Sequence, residues 1–168
     1  MRDLLQKIFF HGSERHSLTE LDPIHSDAIR PFGKAVYLSL EKATAKRYAR
    51  FQGSIYQVQL NGNPAMTINL DATFRDQGIE AREAIRPIIK ANNPNFDVHT
   101  SQNDVRELIG GNKRDTRVRM TEQLLEAGIW MIYGTVGPDE HSGDMDDGIQ
   151  YAILDREHLL ILSEERCE

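Results

Sequence analysis

The chain reads as a single α+β domain spanning residues 1–168. Three observations predict that class: short apolar runs of strand type crowd both ends, helix-type periodicity occupies the middle, and no segment repeats another. A chain of 168 residues can bury most of its apolar side chains around one core, so a second full domain is not expected. Hydrophobic residues make up 39% and charged residues 27%, a balance that favours a packed globular chain over a disordered one.

The elements follow in order. Met1 to Phe10 carries Arg2, Asp3 and Lys7 and no long apolar run, so it reads as the lead-in to a strand rather than a signal peptide. Ile8-Phe9-Phe10 is apolar and closes on His11-Gly12-Ser13, a buried strand leading into a loop. Residues 14–34 are polar and irregular, and Ala35 to Leu40 forms the next strand. Glu41 to Phe51 has helix-forming composition, with Ala43, Tyr48 and Phe51 available to one face and Gly53 as its stop. Ser54 to Leu60 alternates: Tyr56, Val58 and Leu60 lie on one side, Gln57 and Gln59 on the other. Ala65 to Leu70 then pairs with it as a hairpin across Asn61-Gly62-Asn63.

The middle is helical. Ile79 to Ala91 forms a helix interrupted by Pro87, Ser101 with Asp104 opens another through a capping-box pattern, and a third lies around Met120 to Ala127. The third offers Leu124 and Leu125 to the core and Gly128 as its C-cap. Ile129 to Tyr133, Ile149 to Leu154 and His158 to Leu162 return the chain to strands, separated by short turns and by the acidic loop 137–148.

Several chemistries are excluded by spacing. His11 and His16 are five apart rather than three or four, and no cysteine partners them. Asp144-Met145-Asp146-Asp147-Gly148 puts its glycine one position early for a calcium loop, so no metal is expected. Gly110-Gly111-Asn112-Lys113 lacks P-loop spacing, and neither a Gly-x-Gly-x-x-Gly nor a hydrolase nucleophile motif occurs. The single Cys167 closes no internal disulfide, which points to a reducing, cytoplasmic setting, and no segment is long enough to span a membrane. The net charge is -6, yet residues 137–168 hold ten carboxylates against Arg156 and Arg166, a balance of -8 that leaves about +2 for the rest. Basic clusters at Lys42, Lys46, Arg47, Arg50 and at Lys113, Arg114, Arg117, Arg119 could hold phosphates or form solvated helix faces.

Three segments carry a resemblance. They are Phe10-His11-Gly12-Ser13; Gly33-Lys34-Ala35-Val36-Tyr37-Leu38-Ser39, followed eleven residues after Tyr37 by Tyr48; and Ile149-Gln150-Tyr151-Ala152-Ile153-Leu154-Asp155. With these the chain resembles the ADP-ribosyltransferases of the diphtheria-toxin and poly(ADP-ribose) polymerase branch, whose site is spelled histidine, tyrosine and glutamate or a substitute on separate strands. The likeness covers residues 8–60 well, 128–162 fairly, and the helical middle hardly at all. It implies split antiparallel β-sheets with flanking helices and NAD as co-substrate. It also implies His11, Tyr37 and Gln150 as the catalytic set, and His11, Gly12, Ser13, Tyr37 and Tyr48 as the NAD-binding set.

The chemistry is consistent with that list. Breaking the nicotinamide–ribose bond builds positive charge at the anomeric carbon, so the departing ring and the ribose must both be held. Two tyrosines can sandwich the flat ring, backbone groups at Gly12 can pair with the carboxamide where no side chain blocks approach, and His11 can bond a ribose hydroxyl. Two departures matter. Ala45 stands where the family has a small helix serine, with Thr44 beside it, and Gln150 stands where polymerising members have glutamate. Glutamine can bond a hydroxyl but cannot act as a general base, so mono-ADP-ribosylation rather than chain elongation is implied. Asp144, Asp146 or Asp147 could deprotonate an acceptor.

The function expected is therefore transfer of ADP-ribose from NAD to a macromolecular acceptor, protein or nucleic acid, in the manner of a bacterial or phage toxin or effector with a cognate antitoxin. Alternatives are NAD glycohydrolase or RNA 2'-phosphotransferase chemistry on the same fold, and a non-catalytic module that binds NAD or ADP-ribose.

Overall fold

The computed structural model describes residues 2–25, 33–92, 94–96, 105, 114–135 and 148–168. Its regular elements are β1 (Phe9–Ser13), β2 (Val36–Leu38), α1 (Lys42–Ala49), β3 (Ser54–Leu60), β4 (Thr67–Asn69), α2 (Ile79–Asn92), α3 (Arg114–Glu126), β5 (Met131–Thr135), β6 (Ile149–Ile153) and β7 (Leu159–Arg166). Two sheets result, one ordered β1-β3-β7 and one ordered β2-β6-β5-β4. The architecture is α+β. All pairings are antiparallel except β4 with β5, which run parallel, so the second sheet is mixed where antiparallel sheets were expected.

The alternation along each strand sorts the layers. From the three-stranded sheet, Phe9, Tyr56, Val58 and Leu60 face inward against Val36, Leu38, Met131, Tyr151 and Ile153 of the four-stranded sheet, with Leu21 and Trp130 closing the edges. The other face of the four-stranded sheet presents Ile68, Ile132, Ala152 and Leu154 to a second core with Ala81, Ile85 and Ile89 of α2 and Leu124 of α3. The outer face of the three-stranded sheet packs Ile55 and Phe10 on Ala45 and Ala49 of α1. The layers therefore run α1, three strands, four strands, then α2 and α3.

Several local expectations change. Residues 65–70 do not form a hairpin with β3, because both edges of β3 are occupied by β1 and β7. Trp130 lies against Gly62, where a Cβ would fall on the indole, and its Nε1 donates to the Asn63 carbonyl at 2.8 Å, turning the chain away through the 3₁₀ turn Pro64–Met66. β4 then joins the other sheet beside β5. Helix α2 runs through Pro87 without interruption; Pro87 is exposed, so the carbonyl whose partner it removes can bond water.

On α1 the buried positions are Thr44, Ala45 and Ala49 rather than Ala43 and Phe51, which are exposed, while Tyr48 is half-buried. The helix stops at Arg50, whose φ of 54° is left-handed, three residues before Gly53. Gly53 answers a different demand, since a Cβ there would strike the Ala49 and Ser13 carbonyls. Leu124 is buried as expected but Leu125 is 41% exposed. Gly128, at φ 83°, closes α3 as expected: its N–H donates to Leu125 and that of Ile129 to Leu124, both at 2.9 Å, the two bonds of a Schellman motif. The Ser101–Asp104 helix and most of loop 137–148 lie outside the described residues, as do Lys113 and the side chains of Arg114 and Arg117.

Candidate functional site

Among the described residues the two sheets are joined by one backbone bridge. Phe10 of β1 and Ser39 just beyond β2 exchange N–H···O bonds at 2.8 and 3.0 Å, forming a single antiparallel bridge. Residues two apart on a strand direct their backbone groups to the same edge, so the N–H and C=O of Gly12 point, like those of Phe10, away from β3 and toward β2. The pairing is not continued there. His11 turns its ring into the gap instead, its Nδ1 lying 2.9 Å from the Tyr37 carbonyl oxygen. A carbonyl only accepts, so Nδ1 carries the proton and Nε2 becomes the acceptor of the neutral ring.

A cleft of about 330 Å³ opens where the strands part. His11, Gly12, Ser13, Tyr37, Tyr48 and Gln150 all line it, together with Thr44 and Ala45 of α1. Register explains much of the convergence. Tyr37 is paired with Ala152, so Gln150, two residues earlier on β6, shares Tyr37's face of the sheet. Tyr37 is fixed at both ends, its carbonyl by His11 and its hydroxyl by a 2.8 Å bond to the carbonyl of Gly33, which holds φ 79°. Gln150 is buried, and its Nε2 donates to the Tyr48 hydroxyl at 3.2 Å, joining β6 to α1 across the cleft. Its amide has a further N–H and a carbonyl with which to meet a hydroxyl.

Gly12 carries a correction. The absent side chain does not clear space for a ligand: a Cβ would fall on the Ala45 carbonyl oxygen and lie 2.8 Å from the Ala49 nitrogen. Glycine is required so that α1 can press backbone-to-backbone on β1, which in turn sets how far Tyr48 stands from Gln150. The polar edge of Gly12 remains directed at the gap.

The other wall is the segment after β1, whose Glu14, Arg15, Leu18, Glu20, Leu21, Asp22 and His25 line the cleft. None of these was foreseen from a stretch that looks merely polar; Leu18 and Leu21, three apart and both at least half-buried, were the available signal. The wall is pinned to the sheet beneath it. The Glu164 carboxylate of β7 accepts from Ser17 N–H at 3.0 and 3.1 Å and from the buried Ser54 hydroxyl at 2.5 Å, while His16 Nδ1 is 2.8 Å from that same hydroxyl. The Tyr56 hydroxyl, from a fully buried ring, donates to the Arg15 carbonyl at 2.9 Å and accepts from Leu18 N–H at 3.2 Å. Hydrogen bonds from Ser54, then Ser17, hold the Glu164 carboxyl below the usual carboxylate range, and burial pushes the Tyr56 hydroxyl up.

Of the basic cluster on α1, Lys42 pairs with Glu165 at 2.6 Å and Arg50 with Glu14 at 2.9 Å, both in largely exposed positions. Arg119 is exposed on α3. No group of three or more His, Cys, Asp or Glu among the described residues could hold a metal ion, and no described helix is long and apolar enough to cross a membrane. Asp144, Asp146 and Asp147 lie outside the described residues. Compared with known proteins, the chain matches no protein-family model, no curated protein and no solved structure.

Proposed function

We propose that the chain is a mono-ADP-ribosyltransferase of the ADP-ribosyltransferase fold, transferring ADP-ribose from NAD to a macromolecular acceptor and releasing nicotinamide. One observation carries the proposal: His11, Gly12, Ser13, Tyr37, Tyr48 and Gln150, drawn from four elements, line a single cleft. At about 330 Å³ it falls within the range of ligand pockets, roughly 300–1,000 Å³.

The residues fit NAD in chemistry. The directed N–H and C=O of Gly12 suit a carboxamide, and the His11 ring, with Nδ1 committed to the Tyr37 carbonyl, offers Nε2 to a ribose hydroxyl. Gln150 meets a second hydroxyl without charge. Tyr37 and Tyr48 supply aromatic surface for the nicotinamide ring. As the C–N glycosidic bond breaks, its electron pair leaves with nicotinamide; the acceptor's nucleophile bonds the anomeric carbon and gives up its proton to water. Gln150 cannot take that proton, which is why a single transfer is favoured over elongation.

The test is incubation with NAD labelled on the adenylate phosphate in a cell extract, with nicotinamide release followed in parallel and products digested by protease or nuclease. Label sensitive to one digestion, lost in His11→Ala while that variant keeps its melting temperature, is the expected result and names the acceptor class. Nicotinamide release without macromolecular label would make the chain an NAD glycohydrolase. Absence of both, with NAD still bound, would make it a binding module. Growth arrest on expression, relieved by His11→Ala, would extend the proposal to a toxin neutralised by a partner.

A further inference from the structure

The charges around the cleft are unevenly compensated. Among its lining residues Glu14, Glu20 and Asp22 are anionic and Arg15 is the guanidinium. Each carboxylate meets a cation that does not line the cleft: Glu14 pairs with Arg50 at 2.9 Å, and Arg156 pairs with Asp22 at 2.9 Å and with Glu20 at 3.4 Å. Arg15 forms no ion pair with any described residue. Three lining carboxylates are thus engaged by two arginines outside the cleft, and the Arg15 guanidinium, which lines it, is committed to none of them.

The backbone beneath that charge is well held. Arg15 N–H donates to Ser13 Oγ at 3.1 Å, and its carbonyl accepts the Tyr56 hydroxyl at 2.9 Å. Because Ser13 Oγ serves as acceptor to Arg15, its own proton can be donated into the cleft. Ser13 lies two residues along β1 from His11, about 7 Å at the usual strand rise, on the scale of one ribose. The order along the wall is therefore a hydroxyl acceptor at His11, a hydroxyl donor at Ser13, and a fork of N–H donors at Arg15.

We infer that Arg15, with the Ser13 hydroxyl, binds the diphosphate of the dinucleotide. This rests on NAD being the substrate. A planar guanidinium can grip two phosphate oxygens at once, and because Glu14, Glu20 and Asp22 pair with Arg50 and Arg156, that of Arg15 is not drawn away by them.

The experiment is calorimetric titration of the full chain and of Arg15→Gln and Arg15→Lys with two probes, inorganic pyrophosphate and ADP-ribose, with melting temperatures recorded. Arg15→Gln is expected to weaken both ligands roughly tenfold to hundredfold at an unchanged melting temperature, and added salt to weaken the wild type more than the variant. Equal affinity of wild type and Arg15→Gln for both probes overturns the inference and leaves the transferase proposal standing. Arg15-dependent binding of pyrophosphate without binding of ADP-ribose keeps the anion site and removes the NAD assignment. Binding of neither probe by the wild type overturns the site. Should Arg15→Gln also lose stability, Arg15→Lys decides: recovered pyrophosphate binding upholds the role of the charge, and no recovery overturns it.

Discussion

Helices α1 and α2 both lie against a sheet, and they do so by different means. Helix α2 buries Ala81, Ile85 and Ile89, spaced by four, against Ile68, Ile132 and the aromatic pair Phe74 and Phe96. Helix α1 buries nothing larger than threonine; its contacts are Ala45 and Ala49 on the backbone of β1 and β3, where Gly12 and Gly53 remove the Cβ atoms that would keep it off. On the α2 side, apolar transfer supplies stability and tolerates small shifts. On the α1 side, backbone contact supplies position, and little apolar area backs it. The candidate site draws on both: Tyr48 stands on α1, while Tyr37 and Gln150 share the face of the four-stranded sheet that carries Ala152, and Tyr37 packs against the α2 core. The α1 wall of the cleft is thus set by contacts that cannot slide, and its opposite wall by side chains seated on an apolar core.

The largest expected effect tests the stabilising half. Ile85→Ala should lower unfolding free energy by about 2–5 kcal/mol in urea denaturation, since a fully buried side chain leaves a cavity, yet leave the ADP-ribose affinity of the folded fraction unchanged. An equal loss of affinity would mean that the packing of Tyr37 on the α2 core also sets the cleft. Gly12→Ala should show the converse pattern. Its methyl overlaps the Ala45 carbonyl, so α1 must move, at about 1–3 kcal/mol, and the Tyr48–Gln150 bond and ADP-ribose binding go with it. Gly78→Ala is the control: its Cβ meets only the Ala65 carbonyl at 3.6 Å, and stability should change by less than about 1 kcal/mol.

A smaller effect concerns the pinned wall. The Glu164 carboxyl is held below its ordinary value by Ser54 and Ser17, so its ionised form stabilises the fold. That stability is fully present above the unfolded carboxylate pKa, near 4.3, and is lost as pH falls through the lower folded value. Glu164→Gln should flatten this acid limb of the stability profile and speed amide exchange at Ser17, whose N–H it accepts. An acid limb identical in both proteins would remove Glu164 from the wall's support. The smallest effect is expected at Lys42→Ala, which removes an exposed pair with Glu165; its melting curve should shift by less than about 1 kcal/mol.

Much of the α+β order was legible in residues. The alternation of Ser54 to Leu60 places Tyr56, Val58 and Leu60 on one buried side, and the structure keeps it. Gly128 reads as a helix end and is one, because only glycine adopts its φ of 83° without strain. His11, Tyr37, Tyr48 and Gln150 were named through the family resemblance, and all four line the same cleft. What failed were inferences about partners. The hairpin expected at Asn61-Gly62-Asn63 obeys local turn chemistry, but β3 already has neighbours on both edges, contributed by segments distant in sequence. The face of α1 was misjudged because hydrophobicity pointed to Phe51, whereas a glycine thirty-nine residues earlier decides which side of the helix can approach.

By itself, then, the sequence determined the type and order of most described elements, since propensity, period and turn chemistry act between residues close along the chain. Only the tertiary structure decided that β4 runs parallel to β5, that the strands part after one bridge at Phe10 and Ser39, and that Arg50 and Arg156 engage the carboxylates of the wall while Arg15 lines the cleft without an ion pair to a described residue. Strand partners, close backbone approaches and charge pairs join residues far apart in the chain, and they are chosen by competition for edges and space that no single segment records.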